Sequence, residues 1–319
     1  MEELKNKLKE LKSLAGENNL DINKSLEEIE AMLNVGKDSP TWEKVQLARR
    51  LDRPGALEFI NLICDDFIEL HGDRYFRDDP ALIGGIGTIN GQAFTFIGNQ
   101  KGSNLKENLY RNYGMGGPEG YRKALRLVKQ AEKFNRPVVT FIDTSGAYPG
   151  PEAEARGIGE AIAKNLKEFS LLKVPIICFV IGEGGSGGAL GIGVGDKLYM
   201  LENSIYSVIS PEGFASILLR DSNKAKEAAD IMKMTAKDLF EFGIIHGIIP
   251  EAPGGVQNNP GYTAEMIKEL ILTNTAVLSK KKPESLIRYR SRKIREIGQF
   301  TESAGKEQDL FGLFSRLFN

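Results

Sequence analysis

Pro175-Ile-Ile-Cys-Phe-Val-Ile-Gly-Glu-Gly-Gly-Ser-Gly-Gly-Ala-Leu-Gly-Ile-Gly-Val-Gly195 is the stretch on which the fold turns. Its first part, Ile176 to Ile181, is a short apolar run with β-branched residues, bounded by Pro and Gly. That is the pattern of a buried strand. A glycine-rich loop follows, and then a helix of small residues. Glycine lets backbone N–H groups approach a ligand closely, and a helix N-terminus adds the positive end of its dipole. Such a loop holds negative charge without any charged side chain.

Three chemistries fit the loop. Gly182-Glu-Gly184-Gly-Ser-Gly187 matches the G-x-G-x-x-G dinucleotide pattern, with Glu202 about twenty residues on. Gly184-Gly-Ser186-Gly-Gly188 matches the G-x-S-x-G nucleophile elbow, with His246 downstream as a base. In the third, the backbone amides of Gly187 and Gly188 form an oxyanion hole. Close packing of helix on strand, with no ligand, is the structural alternative. Short patterns match by chance in a run this rich in glycine, so the rest of the chain has to decide.

The 319 residues allow one large domain or two small ones. A net charge of −1 gives no global field that points to nucleic acid. Two cysteines, Cys64 and Cys178, supply neither a four-thiolate zinc site nor a disulfide framework, so no metal is expected and a reducing compartment fits. Cys178 should lie buried and unreactive on the strand beneath the glycine loop. The charged start, Met1-Glu-Glu-Leu-Lys, lacks a signal-peptide core. No apolar run approaches the roughly 20 residues that span a membrane. The expectation is a soluble, cytoplasmic protein.

Leu4, Leu8 and Leu11 recur at helical spacing, and Ser25 with Glu28 forms a capping-box signature ahead of Leu26, Ile29 and Leu33. Residues 1–53 are therefore expected to be an N-terminal helical region, ending in a polar, basic connector from Trp42 to Arg53. Pro54 opens a helix with Phe59, Ile60, Ile63, Phe67 and Ile68 on one face. From Ala81 the period becomes that of strands: Leu82 to Ile89, the turn Asn90-Gly91, and Gln92 to Ile97 read as a β-hairpin. Tyr121 to Phe134 reads as a helix with Arg122, Lys123, Arg126 and Lys129 on a solvated face.

Pro137 to Ile142 is the next buried strand. It delivers Asp143-Thr-Ser-Gly-Ala-Tyr-Pro-Gly150 and a helix from Glu152 to Phe169, and the same strand–loop–helix unit recurs at Ile176. Repeated units with glycine loops at the strand ends predict stacked superhelical turns, with the anion-binding loops on one edge. A dinucleotide fold would place its fingerprint near the start of a domain.

Glu119-Gly-Tyr-Arg-Lys-Ala-Leu-Arg-Leu127, Phe141-Ile-Asp-Thr-Ser-Gly-Ala-Tyr-Pro-Gly150, Ile181-Gly-Glu-Gly-Gly-Ser-Gly-Gly-Ala-Leu190 and Tyr206-Ser-Val-Ile-Ser-Pro-Glu-Gly213 carry a specific resemblance. They resemble the carboxyltransferase α subunit of bacterial and plastid acetyl-CoA carboxylase, over residues 20 to 298. The resemblance implies an α/β fold of the crotonase type, a superhelix of ββα turns over residues 54–298, preceded by the helical extension. Residues 299–319 look less family-typical and are expected to be a flexible tail. Ser145 stands where a proline is expected in many relatives, and Gly116-Gly117 stand where bulkier residues occur.

The implied reaction moves a carboxyl group from carboxybiotin, on a separate carrier protein, to acetyl-CoA, and so commits carbon to fatty acid synthesis. In the family, amides matching Gly187 and Gly188 serve one oxyanion. Gly146, Ala147, Tyr148, Gly184, Gly185 and Ser186 are expected to wall the biotin pocket. The implied partners are a carboxyltransferase β subunit in an α2β2 assembly, the biotin carboxyl carrier protein and biotin carboxylase. The coenzyme A thioester is substrate. Another biotin-dependent acyl-CoA carboxyltransferase or decarboxylase subunit, a serine hydrolase using Ser186 and His246, and a non-catalytic scaffold remain as alternatives.

Two motifs read as decoys or open questions. Ile231-Met-Lys-Met234 resembles the core of a biotinylation site, yet Lys233 lies in a helical context rather than on a hairpin turn. The basic segment 281–298, with Arg288, Arg290, Arg292, Lys293 and Arg295, reads equally as a solvated helix or as a subunit contact or phosphate clamp.

Overall fold

A computed structural model of the chain describes residues 39–298. The helices expected around Leu4 and Ser25 and the tail expected from 299 lie outside those residues. Helices α1 (Pro40–Ala48) and α2 (Ala56–Ile63) lead into strands β1 (Asp66–Glu69), β2 (Leu82–Ile89) and β3 (Gln92–Asn99). Helices α3 (Leu105–Tyr110) and α4 (Pro118–Lys133) precede β4 (Val138–Thr144), and α5 (Pro151–Ala155) and α6 (Ile158–Ser170) precede β5 (Ile176–Gly185). Then come α7 (Ser186–Gly193), β6 (Lys197–Leu201), β7 (Ile205–Ser207), α8 (Pro211–Leu218), α9 (Ala225–Met232) and α10 (Ala236–Glu241). Strand β8 (Gly247–Ile249), α11 (Pro260–Leu278) and α12 (Pro283–Arg295) complete the described chain.

The strands form one sheet in the order β1-β2-β3-β4-β5-β6-β8, with β7 also on β5. The first three are antiparallel and the rest parallel. The β2–β3 hairpin turns at Asn90-Gly91, both with positive φ (50° and 75°), as the tight twisted turn requires. In β5, Ile176, Cys178 and Val180 face the layer of α4, α6 and α7, while Ile177, Phe179 and Ile181 face α2 and α11. Burial on both faces is why this strand reads as an unbroken apolar run. On the α2–α11 face, Phe96, Phe141, Phe179 and Tyr199 stack across four neighbouring strands, with centroids 6.5, 5.7 and 5.7 Å apart.

Strand β5 has two partners on one edge. Residues Ile177 to Val180 pair with β6, and Glu183 to Gly185 pair with β7. On the other edge its register with β4 slips between Ile142↔Val180 and Thr144↔Gly184, so β5 gains two residues on β4 where the glycine loop begins.

Several elements differ from the sequence reading. The segment read as a connector holds α1, because Ser39 caps it (Trp42 N–H to Oγ, 3.1 Å) and Pro40 opens it. Trp42, Val45 and Ala48 pack with Ile205, Ala229 and Met234 in a satellite cluster away from the main core. Helix α2 stops at Ile63, and Phe67 and Ile68 belong to β1, where the Asp66 carboxylate accepts from the Thr88 amide and hydroxyl and ties that strand to β2. The helix expected over 152–169 breaks at Gly157, whose φ of 79° no helix continues through. The cationic face of α4 is not fully solvated: Lys123 is buried, donating to Asp78 Oδ1 (2.6 Å) and the Asp79 carbonyl (2.9 Å).

The basic segment of α12 hides a structural arginine. Arg290 is fully buried. Its guanidinium holds Asp196 through both oxygens (3.1 and 2.8 Å) and donates to the carbonyls of Phe169, Leu172 and Val174 at 2.8, 2.8 and 3.0 Å. It thereby closes the C-terminal end of α6, where helix carbonyls lack partners. Arg290→Met should cost about 3–5 kcal/mol, because it leaves Asp196 buried without its cation. Urea denaturation checks this; a loss below about 1 kcal/mol would show that Asp196 finds another partner.

Candidate functional site: a glycine-lined helix N-terminus

Strand β5 turns into α7 at Gly185 and Ser186. Ser186 takes a positive φ of 48°, and Gly185 is an N-cap without a side-chain bond. The first amides of a helix have no partner within it, so those of the α7 first turn, Gly187 and Gly188 among them, are left for other acceptors. Opposite lies the turn after β4. Thr144 Oγ1 accepts from the Gly146 amide (3.2 Å) and donates to the Gly146 carbonyl (2.6 Å), which folds Ser145, Gly146 and Ala147 back toward α7.

The two turns touch backbone to backbone. A Cβ on Gly185 would land on the Ser145 carbonyl, and one on Gly188 would land on the Gly146 carbonyl carbon and the Ala147 nitrogen. Gly184 makes room for the Tyr206 ring (2.5 Å from a would-be Cβ) and Gly191 for that of Tyr121 (2.6 Å). Tyr121 Oη then donates to the Gly188 carbonyl (3.1 Å), and Asn165 Nδ2 to the carbonyls of Gly191 and Tyr121 (3.0 Å each). Most glycines of the stretch therefore serve close packing. Gly187 is different: its would-be Cβ meets only the Ile162 side chain, at 3.8 and 3.9 Å. Nothing in the protein asks for glycine there; a ligand approaching its amide would.

The expected pocket residues do not line one cavity. Gly184 and Gly185 border a small cleft with Ser145, Arg49 and Ser210. Tyr148, whose amide donates to Gly116 O (2.9 Å), instead lines a separate cavity of about 260 Å³ with Arg77, Glu119 and Arg156. Sequence reading missed the charged groups beneath the turns. Lys101 Nζ lies 2.8 Å from both Asp143 Oδ1 and Glu183 Oε2. Arg49 Nε reaches Glu183 Oε1 (2.7 Å), and its Nη1 reaches Glu212 Oε1 (2.7 Å). Burial would raise Glu183, but Lys101 and Arg49 outweigh it and hold the carboxyl below its usual range. Burial likewise works against the Lys101 ammonium, and the two carboxylates override it and raise its pKa. The cue was present in the sequence, in Lys101 at the end of a strand and Asp143 and Glu183 at the ends of two others.

The competing chemistries do not assemble. His246 is opposite Leu198: its backbone amide donates to the Leu198 carbonyl (2.7 Å), and its ring Nδ1 accepts from the Leu198 amide (3.1 Å). Leu198 pairs with Cys178, and Ser186 lies just past the far end of β5, eight residues on from Cys178 and roughly 26 Å away at the rise of a strand. Burial, helped by Lys197 and Lys293, pushes the imidazole down to about 4. Ser186 Oγ has no hydrogen-bond partner among the described residues, so no base activates it. The dinucleotide fingerprint fails because Gly182 and Gly184 lie within β5, not at a turn, and Glu202 accepts from the Glu251 amide. Cys178 is fully buried, and burial pushes its thiol up to about 12. Lys233 is exposed with φ 51°, between α9 and α10 rather than on a β-hairpin. No cluster of three or more His, Cys, Asp or Glu is arranged for a metal among the described residues.

Parallel strands with helices on both faces, and a helix N-terminus facing a second backbone turn at one edge, define a crotonase-type α/β protein. Solved structures share this fold. Transcarboxylase 12S with methylmalonyl-coenzyme A bound superposes with a TM-score of 0.56 at 19% identity, over 85% of this chain and 48% of that one, so the chain spans about half its length. A Pseudomonas malonate decarboxylase hetero-tetramer in complex with coenzyme A gives a TM-score of 0.56 at 16% identity, over 75% and 91%. The particular family follows from the sequence matches. Residues 1–298 match the family model "Acetyl co-enzyme A carboxylase carboxyltransferase-like", and the chain belongs to that family. It is 61% identical over 298 residues to the acetyl-coenzyme A carboxylase carboxyl transferase subunit alpha of Treponema denticola, covering 93% of this chain and 98% of that protein. The same subunit of Staphylococcus carnosus is 53% identical over 305 residues, covering 94% and 97%.

The contrast between the paired glycines gives a measurable difference. Gly187→Ala should fold within about 1 kcal/mol of the wild type, on the more stable side, as Gly→Ala in a helix does. Gly188→Ala should cost about 1–3 kcal/mol through collision with the facing turn. Thermal unfolding of the two variants side by side decides; equal losses would contradict the open space above Gly187.

Proposed function

We propose that this chain is the α subunit of an acetyl-CoA carboxylase carboxyltransferase, an enzyme that transfers a carboxyl group from carboxybiotin to acetyl-CoA and yields malonyl-CoA, the first committed step of fatty acid synthesis. Gly187 carries the reading: it is the glycine of the α7 first turn that the protein's own packing does not require. Family membership and relatives at 61% and 53% identity support it.

The residues present suit such a substrate. Biotin supplies a carboxyl group on a ureido nitrogen, and its ring oxygen gains negative charge as that group leaves. The amides of Gly187 and Gly188 would donate to such an oxygen from the positive end of α7. Glycine at 187 leaves the approach open, and the Tyr121 and Asn165 bonds fix the helix that aims both amides. Gly146 and Ala147 form the facing wall. No side chain here is placed as a nucleophile, and the transfer needs none.

Carboxyl transfer develops two oxyanions, on biotin and on the thioester. The described residues supply one convincing pair of donors. We therefore assign the second pair to a β subunit in an α2β2 assembly, with active sites at the α–β boundary. The biotin is carried on a separate carrier protein, charged by biotin carboxylase. No helix among the described residues is long and apolar enough to cross a membrane.

Reconstitution tests this. The purified chain alone should give no malonyl-CoA, and the chain with β subunit and charged carrier should. In that complex Ser186→Ala keeps most of the turnover, while Gly187→Val lowers it by about 10²–10³, as loss of an oxyanion donor does. A drop beyond about 10³ for a well-folded Ser186→Ala chain would move the chemistry to a serine nucleophile. Comparable turnover by the lone chain would sink the shared site.

A further inference from the structure

Charge as well as backbone contact holds the two turns at the site in register. Asp143 lies two residues before Ser145 in one turn, and Glu183 two residues before Gly185 in the other. Asp143 Oδ1 accepts both the Glu183 amide (2.9 Å) and the Lys101 ammonium (2.8 Å). The same ammonium reaches Glu183 Oε2 at 2.8 Å. One cation thus ties the exit of β4 to the exit of β5, beside the slip in their register.

The clip is tightly seated. A Cβ on Gly182 would come 2.7 Å from Asp143 Cγ, and one on Gly114 would come 2.7 Å from the Asp143 carbonyl oxygen. The Asp143 and Glu183 side chains are only 3% and 11% exposed, so water screens neither well. Removing a cation from such a group leaves a buried charge uncompensated. Arg49 supplies a second cation from α1 to Glu183 and Glu212, but it does not reach Asp143.

We propose that Lys101 is a positioning residue for the Gly187 and Gly188 amides: by neutralising Asp143 and Glu183 together, it sets the offset between the two turns. Its effect on turnover rests on the carboxyltransferase reading; its effect on the geometry of the turns does not. The Lys101 side chain is 21% exposed to a cavity of about 300 Å³ shared with Arg50, Tyr113 and Met115, so a direct contact with substrate is the competing role.

The full chain, assembled with β subunit and carrier, is compared as wild type, Lys101→Met and Lys101→Met/Asp143→Asn, in which the asparagine oxygen can still accept the Glu183 amide and Arg49 still serves Glu183. Lys101→Met should lower kcat on the order of 10²-fold, the scale of a small misplacement of reacting groups, with KM for acetyl-CoA little changed. The double variant removes one carboxylate with the cation and should regain most of that loss. Hydrogen exchange of the segment 183–190, measured on the chain itself, should quicken in Lys101→Met and return to the wild-type rate in the double variant. A raised KM with unchanged kcat and no rescue would overturn the proposal in favour of substrate contact. Unchanged exchange at 183–190 would overturn it whatever the turnover. If Lys101→Met does not fold, the double variant decides: folding with wild-type exchange supports the clip, and failure to fold overturns it. A wild-type complex that forms no malonyl-CoA would defeat the functional reading, and the exchange experiment would still judge Lys101.

Discussion

The contact between the turn after β4 and the turn after β5 is the constraint on which the rest depends. Gly185 lies against the Ser145 carbonyl and Gly188 against the Gly146–Ala147 peptide, too close for any Cβ. Two polar backbones brought this near each other must be exact in direction, since a buried amide or carbonyl without a partner is costly. The surrounding elements supply that exactness. Thr144 folds one turn, Tyr121 and Asn165 tether the helix that leaves the other, and the stacked rings on the far face fix the spacing of the strands that feed both.

Long-range order beyond the core comes from three arginines. Arg49 joins α1 to β5 and α8. Arg53 donates to the Ile181 carbonyl (2.6 Å) and pairs with the buried Glu251 (2.6 Å), binding the chain after α1 to the middle strand and to the segment after β8. Arg290 joins α12 to the end of α6. Each fills several carbonyl or carboxylate acceptors at once, which suits a planar donor fork better than an ammonium. The groups they pair lie far apart in sequence, so these polar contacts join elements that the separate apolar clusters on the two faces of the sheet do not tie together by themselves.

How much of this was legible follows from which forces are local. The buried strands at Val138 and Ile176 and the hairpin at Asn90-Gly91 were readable because their signals lie within a few residues. The glycine stretch was readable as a site, but the role of each glycine was not. Whether a position lacks a Cβ for a neighbour or for a ligand is decided by atoms forty residues away. The same holds for Lys123 and Arg290, which composition marks as solvated and which distant carboxylates draw inside. Phe67 and Ile68 continued a helical face by spacing alone, and pairing with β2 overrode it.

The satellite cluster under α1 has an optical consequence. Trp42 is the sole tryptophan of the chain, and it sits in that cluster with Met232 and Met234 rather than in the main core. Its emission therefore reports the docking of α1 and is nearly blind to the aromatic stack across the sheet. Because Arg49 leaves the same helix to grip Glu183, the indole is a built-in probe of the arm that reaches the site. A fluorescence transition ahead of the loss of far-ultraviolet ellipticity would mark that arm coming away while the sheet still stands.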